Sequence, residues 1–173
     1  MKDAHLHVVI DVETTGLSPG YGDRVIEIGA VAVDNGEIVA EFGSLVRVAK
    51  NIPRHVSRVH GITTDMLADQ PLPDEVYPAL RAFVGASVLV AHNARFDLAF
   101  LRHEFGRLGL RLDNRSVCTL ELARRKLPRL PDHRLETVYR HLFGALPDGI
   151  RCHRALDDAR LTAQVWGKLG GER

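Results

Sequence analysis

Val8-Val9-Ile10-Asp11-Val12-Glu13-Thr14-Thr15-Gly16-Leu17 is an apolar run that ends in two acids, two hydroxyls and a glycine. Val8, Val9, Ile10 and Val12 are β-branched, the class that packs well on a pleated surface. Apolar residues on both faces predict a central strand covered on both sides. Side chains alternate across a strand, so Asp11 and Glu13 share a face with Val9. They stand about 7 Å apart at roughly 3.3 Å per residue. Buried charge without a partner is costly, and these two also repel each other. A hard divalent cation takes carboxylate oxygens and relieves both problems. On this stretch alone a second reading stays open, in which the acids mark where the strand leaves for solvent.

Working outward, the first strand is expected over about His5 to Val12. Ser18-Pro19-Gly20-Tyr21-Gly22-Asp23 is turn chemistry. Val25 to Val33 is a second apolar strand, and Asn35-Gly36 is a hairpin signal that returns the chain as an antiparallel strand over Ile38 to Val48. Glu27 interrupts the second strand and is read as half of a structural ion pair, not as a ligand. A short helix is expected over Pro53 to Val59, stopped after His60 by Gly61, with Thr64 placed to cap a further turn. Helix over Asp74 to Val84, strand over Val88 to Ala91, helix over Ala94 to Leu108 and strand over Ser116 to Thr119 follow. Helices to Lys126, from Leu135 to Phe143, and from just after His153 to Leu169 complete the chain. Strands first, then strands alternating with helices, predict a layered α/β domain with a mixed sheet.

Two further acids fall on apolar faces. In the helix from Ala94, Asp97 opens the stripe of Leu101, Phe105 and Leu108. In the last helix Asp158 shares a face with Thr162, Val165 and Leu169, with Ala155 and Trp166 nearby. Asp157 points about 100° away and is read as the solvent-facing acid of the pair. Each acid has an ordinary reading, such as service to a helix dipole. Gathered together, Asp11, Glu13, Asp97 and Asp158 would make an oxygen-rich site for two divalent ions. His153 is too far from Asp158 in helical phase to share its face. It is placed just before the helix, on a mobile approach to the site, where an imidazole can take a proton from water.

Composition bounds the function. The 173 residues fit one domain able to bury a core, with 45% hydrophobic and 26% charged residues. A net charge of +1 provides no global basic field to announce nucleic acid, and disfavours a pure nucleic-acid-binding reading. Cys118 and Cys152 are too few and too far apart for a zinc knuckle or a disulfide framework, and are read as reduced thiols of a cytoplasmic protein. No signal peptide or membrane span is expected.

The same residues resemble a known family. Asp11-Val12-Glu13-Thr14-Thr15-Gly16-Leu17, Asn93-Ala94-Arg95-Phe96-Asp97 and His153-Arg154-Ala155-Leu156-Asp157-Asp158 resemble, in order, the three motifs of the DEDDh (DnaQ-like) 3′–5′ exonucleases, of which the proofreading epsilon subunit of bacterial DNA polymerase III is a member. His60-Gly61-Ile62 resembles a segment near the substrate in that family. The resemblance covers about residues 6–169 of a single exonuclease domain, 1–173, with residues 170–173 as a tail or the start of a linker. It implies a ribonuclease-H-like α/β fold with a five-stranded mixed sheet flanked by helices. It implies two Mg²⁺ or Mn²⁺ ions on Asp11, Glu13, Asp97 and Asp158, and His153 as general base. By position, Thr14, Thr15, Gly16, Leu17, His60, His92, Asn93 and Phe96 would line the pocket for the terminal nucleotides, although Leu17 and Phe96 equally suit core positions.

The implied substrate is a single-stranded or frayed 3′ end of DNA, in proofreading or repair, with a DNA polymerase catalytic subunit as partner by analogy and no membrane contact. One alternative is a 3′–5′ exoribonuclease of the oligoribonuclease or RNase T type, because the last motif is close to theirs. Another, from a different class, is a non-catalytic nucleic-acid-binding module, which would need a broken site.

Overall fold

The computed structural model describes residues 7–170. The expected start of the first strand at His5, the residues before it, and tail residues 171–173 lie outside that range. Within it the central strand is β1 (His7–Thr14), antiparallel to β2 (Val25–Asp34) and parallel to β4 (Val88–Ala91). β3 (Glu37–Leu45) flanks β2 and β5 (Ser116–Cys118) flanks β4, giving the five-stranded mixed order β3-β2-β1-β4-β5. The helices are α1 (Arg54–His60), α2 (Pro73–Val84), α3 (Ala94–Arg107), α4 (Thr119–Lys126), α5 (Leu135–Phe143) and α6 (Ala155–Lys168).

The alternation of β1 places a core on each side of the sheet. Val8, Ile10 and Val12 pack with Val76, Leu80, Leu98, Leu101 and Phe105 from α2 and α3. Val9, with Val31, Val33 and Val90, packs on Ala159, Ala163 and Trp166 of α6. Asp11 and Glu13 continue Val9's row toward the carboxyl end of β1. The parallel pairing brings the carboxyl ends of β1, β4 and β5 to one edge, so α3 and α4 both start there. Among the described residues no helix is long and apolar enough to cross a membrane.

The turn chemistry acts as its residues dictate. Asn35 and Gly36 take φ of 48° and 83°, the left-handed pair of a tight hairpin, and Gly61 ends α1 at φ 74°. Three expectations shift. The third strand ends at Leu45, not Val48: the Val46 amide still bonds Ile26 O of β2 at 2.9 Å, but the next amide, Arg47, turns away to Pro71 O at 2.8 Å. Pro53 caps α1 from outside, so that helix spans Arg54–His60. Thr64 does not cap the short 3₁₀ turn Asp65–Leu67; its hydroxyl accepts from Ile52 N at 3.1 Å and ties two loops together.

Candidate active site

Each acid is delivered by a different packing decision. Asp11 and Glu13 come from the regular ladder of β1, where Asp11 faces Gly29 and Glu13 faces Glu27 across to β2 before the register slips at Thr14. Asp97 lies in the first turn of α3, and its Oδ1 accepts the Val12 amide at 3.2 Å, which fixes α3 against β1. Asp158 lies in the first turn of α6, and its Oδ2 accepts the His153 amide at 3.0 Å. Ligand atoms of Glu13, His153 and Asp158 all lie within 4.8 Å of one another.

Electrostatics shows that Asp11 and Asp97 belong to the same group. Burial, then the charges of Asp97, Asp158, Glu13 and Glu27, raise Asp11 well above the usual carboxylate range. Burial, then Asp158, Glu27 and Asp97, push Glu13 up to about 8. Burial pushes Asp97 up to about 7 against the hydrogen bonds that hold it down. Asp158 is pushed up to about 6, again by burial first. Four carboxyls all held above the usual carboxylate range by burial and mutual repulsion form a donor set suited to hard divalent ions, whose charge would relieve both. The sequence-predicted ligand set and His153 are therefore brought to one place.

α6 reaches that place through two devices. A Cβ on Gly29 would lie 2.2 Å from Ala155 C and Leu156 N, so glycine allows the helix start to rest directly on β2 beside Asp11. Glu27, buried, takes Arg154 in a fork of hydrogen bonds at 2.6–3.1 Å and accepts the Ala155 amide at 3.0 Å. The expected ion pair is thus formed, and both its oxygens are occupied. Gly29 was not singled out in the sequence, although a lone glycine inside an apolar strand is the signal for a close backbone approach.

One expectation about the last motif is corrected and one is met. Asp157 is buried rather than solvent-facing: Oδ2 accepts the Arg151 amide at 3.0 Å and Oδ1 pairs with Arg160 at 3.0 Å, because residues 151–154 fold back over the helix start. His153 is exposed and lies just before the helix start, as expected. Its amide is held by Asp158 and its backbone sits at φ 59°.

The residues expected to line a pocket separate into three kinds. Thr14, Thr15 and Gly16 build the loop to Arg24. Thr14 Oγ1 donates to Gly16 O at 2.6 Å, and Thr15 Oγ1 bonds Asp23 and the Arg24 amide. A Cβ on Gly16 would strike the Asp23 carboxylate. Arg24 forks onto the buried Glu104 of α3 at 2.7 and 2.9 Å, so the loop is stiff. That loop holds Leu17 in solvent at 86% exposure and Tyr21 at 90%; Leu17 is not a core residue. Phe96 is half-buried with its ring 4.9 Å from Phe100, and Asn93 is exposed at φ 83° before α3. His60 is buried, its Nδ1 accepting from Ile62 N at 3.0 Å. His92 spends both ring nitrogens inside the protein, on Thr119 Oγ1 at 2.9 Å and His133 O at 2.8 Å.

The chain is similar to known proteins over nearly all of its length. Residues 8–166 match the family model described as Exonuclease. The PolC-type DNA polymerase III of Clostridium perfringens is 43% identical over 159 residues, covering 92% of this chain and 11% of that protein. The PolC-type enzyme of Thermotoga maritima is 44% identical over 160 residues, with the same coverage of each. A putative bifunctional exonuclease/endonuclease protein of Mycobacterium tuberculosis is 44% identical over 166 residues, covering 91% of this chain and 25% of it. The chain thus spans about a tenth of the length of its PolC-type relatives. Among solved structures, exonuclease X in complex with 5′-overhanging duplex DNA superposes with TM-score 0.77 at 32% identity, covering 96% of this chain and 94% of that one. The E. coli exonuclease I–ssDNA complex gives TM-score 0.80 at 20% identity over 95% of this chain and 40% of that one, which is a likeness of fold. On the family match and these identities, the chain belongs to the exonuclease family.

Proposed function

We propose that this chain is a 3′–5′ exonuclease domain that removes nucleoside 5′-monophosphates from DNA 3′ ends. The observation that carries the reading is the convergence of Asp11, Glu13, Asp97 and Asp158 beside His153. Two divalent cations, Mg²⁺ or Mn²⁺, held by those four carboxylates would neutralise the approaching phosphodiester and lower the pKa of a water. His153 takes the proton of the attacking water and is kept in register with Asp158 through its own amide. Leu17, exposed on a stiff loop, offers an apolar surface to the terminal base without reading its identity.

The relatives named as PolC-type polymerases and the DNA in the exonuclease X complex support DNA as substrate and a polymerase as partner. The relative named as a putative bifunctional exonuclease/endonuclease supports the exonuclease reading without naming a polymerase. The site reads as cytoplasmic, where its polynucleotide substrates lie. The test is incubation of matched, 3′-labelled single-stranded DNA and RNA with Mg²⁺, followed by identification of the released mononucleotide. Release of 5′-monophosphates from DNA, stopped by EDTA, is the expected result. Release from RNA alone would move the substrate class to RNA, and cation binding without release would leave only a binding module.

A further inference from the structure

The site is a cluster of acids, yet its substrate is a polyanion. Cations answer that conflict for the reacting phosphate, and the rest of the strand needs an answer of its own. The segment 119–143, comprising α4, the following loop and α5, carries six Lys or Arg against three Asp or Glu. The remainder of the chain carries more acids than bases. Arg124, Arg125, Arg129, Arg134 and Arg140 are all exposed, and among the described residues none forms an ion pair. By contrast Arg24, Arg154 and Arg160 are each committed to a carboxylate.

This segment is fastened to the edge where the acids gather. His92, at the end of β4, bonds Thr119 at the start of α4 and the His133 carbonyl just before α5. Thr119 Oγ1 also reaches Ala91 O at 3.3 Å. The charge of Arg124 is felt at His92, and that of Arg140 at Cys152, the neighbour of His153. His92 is thus a bracket between the arginine-bearing segment and the site.

We propose that α4, the 127–134 loop and α5 form the track for the polynucleotide strand on the 5′ side of its terminal nucleotides, with Arg124, Arg125, Arg129 and Arg134 meeting its phosphates. The inference rests on the exonuclease reading for its substrate class. Unpaired guanidiniums on a surface gain most from phosphates, which they hold through forked hydrogen bonds. The contact is sequence-independent and salt-sensitive.

The test uses two charge-reversed variants of the whole chain, Arg124→Glu/Arg125→Glu and Arg129→Glu/Arg134→Glu. A control, Arg81→Glu/Arg115→Glu, makes the same change in net charge on exposed arginines near the amino ends of β4 and β5, the opposite edge. Anisotropy of a fluorescent oligothymidylate of about 20 nucleotides in EDTA gives Kd without turnover, and KM is measured in Mg²⁺ for the same strand and for a dinucleotide. Losing two phosphate contacts lowers the slope of log K against log salt by about 1.4, or about 25-fold in Kd near 0.1 M salt. Each variant is expected to show that loss on the long strand, with dinucleotide turnover within about twofold of the parent; the control is expected to show neither. Unchanged Kd in both variants overturns the track, as does an equal loss with the control or with the dinucleotide. If the parent chain binds the strand but releases no nucleotide, the exonuclease reading fails and the Kd comparison still decides the track.

Discussion

Gly29→Ala tests the positioning argument most directly. The added methyl would sit 2.2 Å from Ala155 C and Leu156 N and 2.3 Å from Ala155 O, all backbone atoms that no rotamer change can move. Ordinary contact begins at 3.4 Å, so β2 and the start of α6 must separate by about 1.2 Å. Asp158 lies one turn into that helix and holds the His153 amide, so both leave their register with Asp11 and Glu13. A misplacement of about 1 Å in a site of this kind costs about 100-fold in rate. Overpacking costs about 1–3 kcal/mol, offset by the roughly 0.4–1 kcal/mol that alanine gains over glycine through a less flexible unfolded chain. Stability should therefore fall modestly while kcat on single-stranded DNA in Mg²⁺ falls by about two orders of magnitude. Gly43→Ala is the matched control. Gly43 is paired with Gly29 across the ladder, but its methyl would meet only the Leu156 side chain, at 3.4 Å, and kcat should hold. Full activity in Gly29→Ala with an unchanged melting temperature would refute the claim that the close approach of α6 sets the site.

Asp158→Asn should abolish turnover while leaving the metal-free protein as stable as the parent or more so, read by thermal melting in EDTA; full activity would remove Asp158 from the site. His153→Ala should lower turnover by about 10²–10⁴-fold with cation affinity by calorimetry nearly intact; a matching collapse in affinity would make it a ligand instead. The third expectation concerns pH. Glu13, Asp97 and Asp158 have folded-state values raised to about 8, 7 and 6, so their protonation stabilises the fold below the ordinary carboxylate range and that stabilisation is lost as pH rises through those values. The melting temperature in EDTA should thus fall between about pH 5 and 8, and Mn²⁺ should restore most of the loss at the upper end; a flat profile in EDTA would contradict the crowding of carboxyls.

The four acids were legible in the sequence because each sits on an apolar face, where charge has no cheap explanation. Periodicity alone places Asp97 with Leu101 and Phe105, and Asp158 with Thr162 and Val165. Its mismatch in phase with Asp158 placed His153 just before the last helix, and the family resemblance then implied its role as general base. Asp157 was misread because a helical wheel knows only its own helix, whereas the loop at 151–154 folds back and buries that carboxylate. The end of β3 and the role of Thr64 escaped for the same reason: the Arg47 amide and the Thr64 hydroxyl took partners distant in sequence, Pro71 O and Ile52 N. The roles of Gly29 and His92 are tertiary. A glycine in a strand signals that something approaches, but not that it is the helix bearing Asp158. A histidine after a strand does not reveal that both its nitrogens face inward.

The loop from Thr14 to Arg24 is braced by Asp23 and by the Arg24–Glu104 fork before any ligand arrives. Its flexibility was given up when the chain folded, so a docking partner need not quench it a second time. Under the proposed function, docking of a nucleotide on Leu17 and Tyr21 would then amount mainly to releasing water from two exposed side chains on a braced loop. The heat-capacity change on association should be negative and scale with the area those two side chains cover, without the large entropic penalty that accompanies the ordering of a floppy lid.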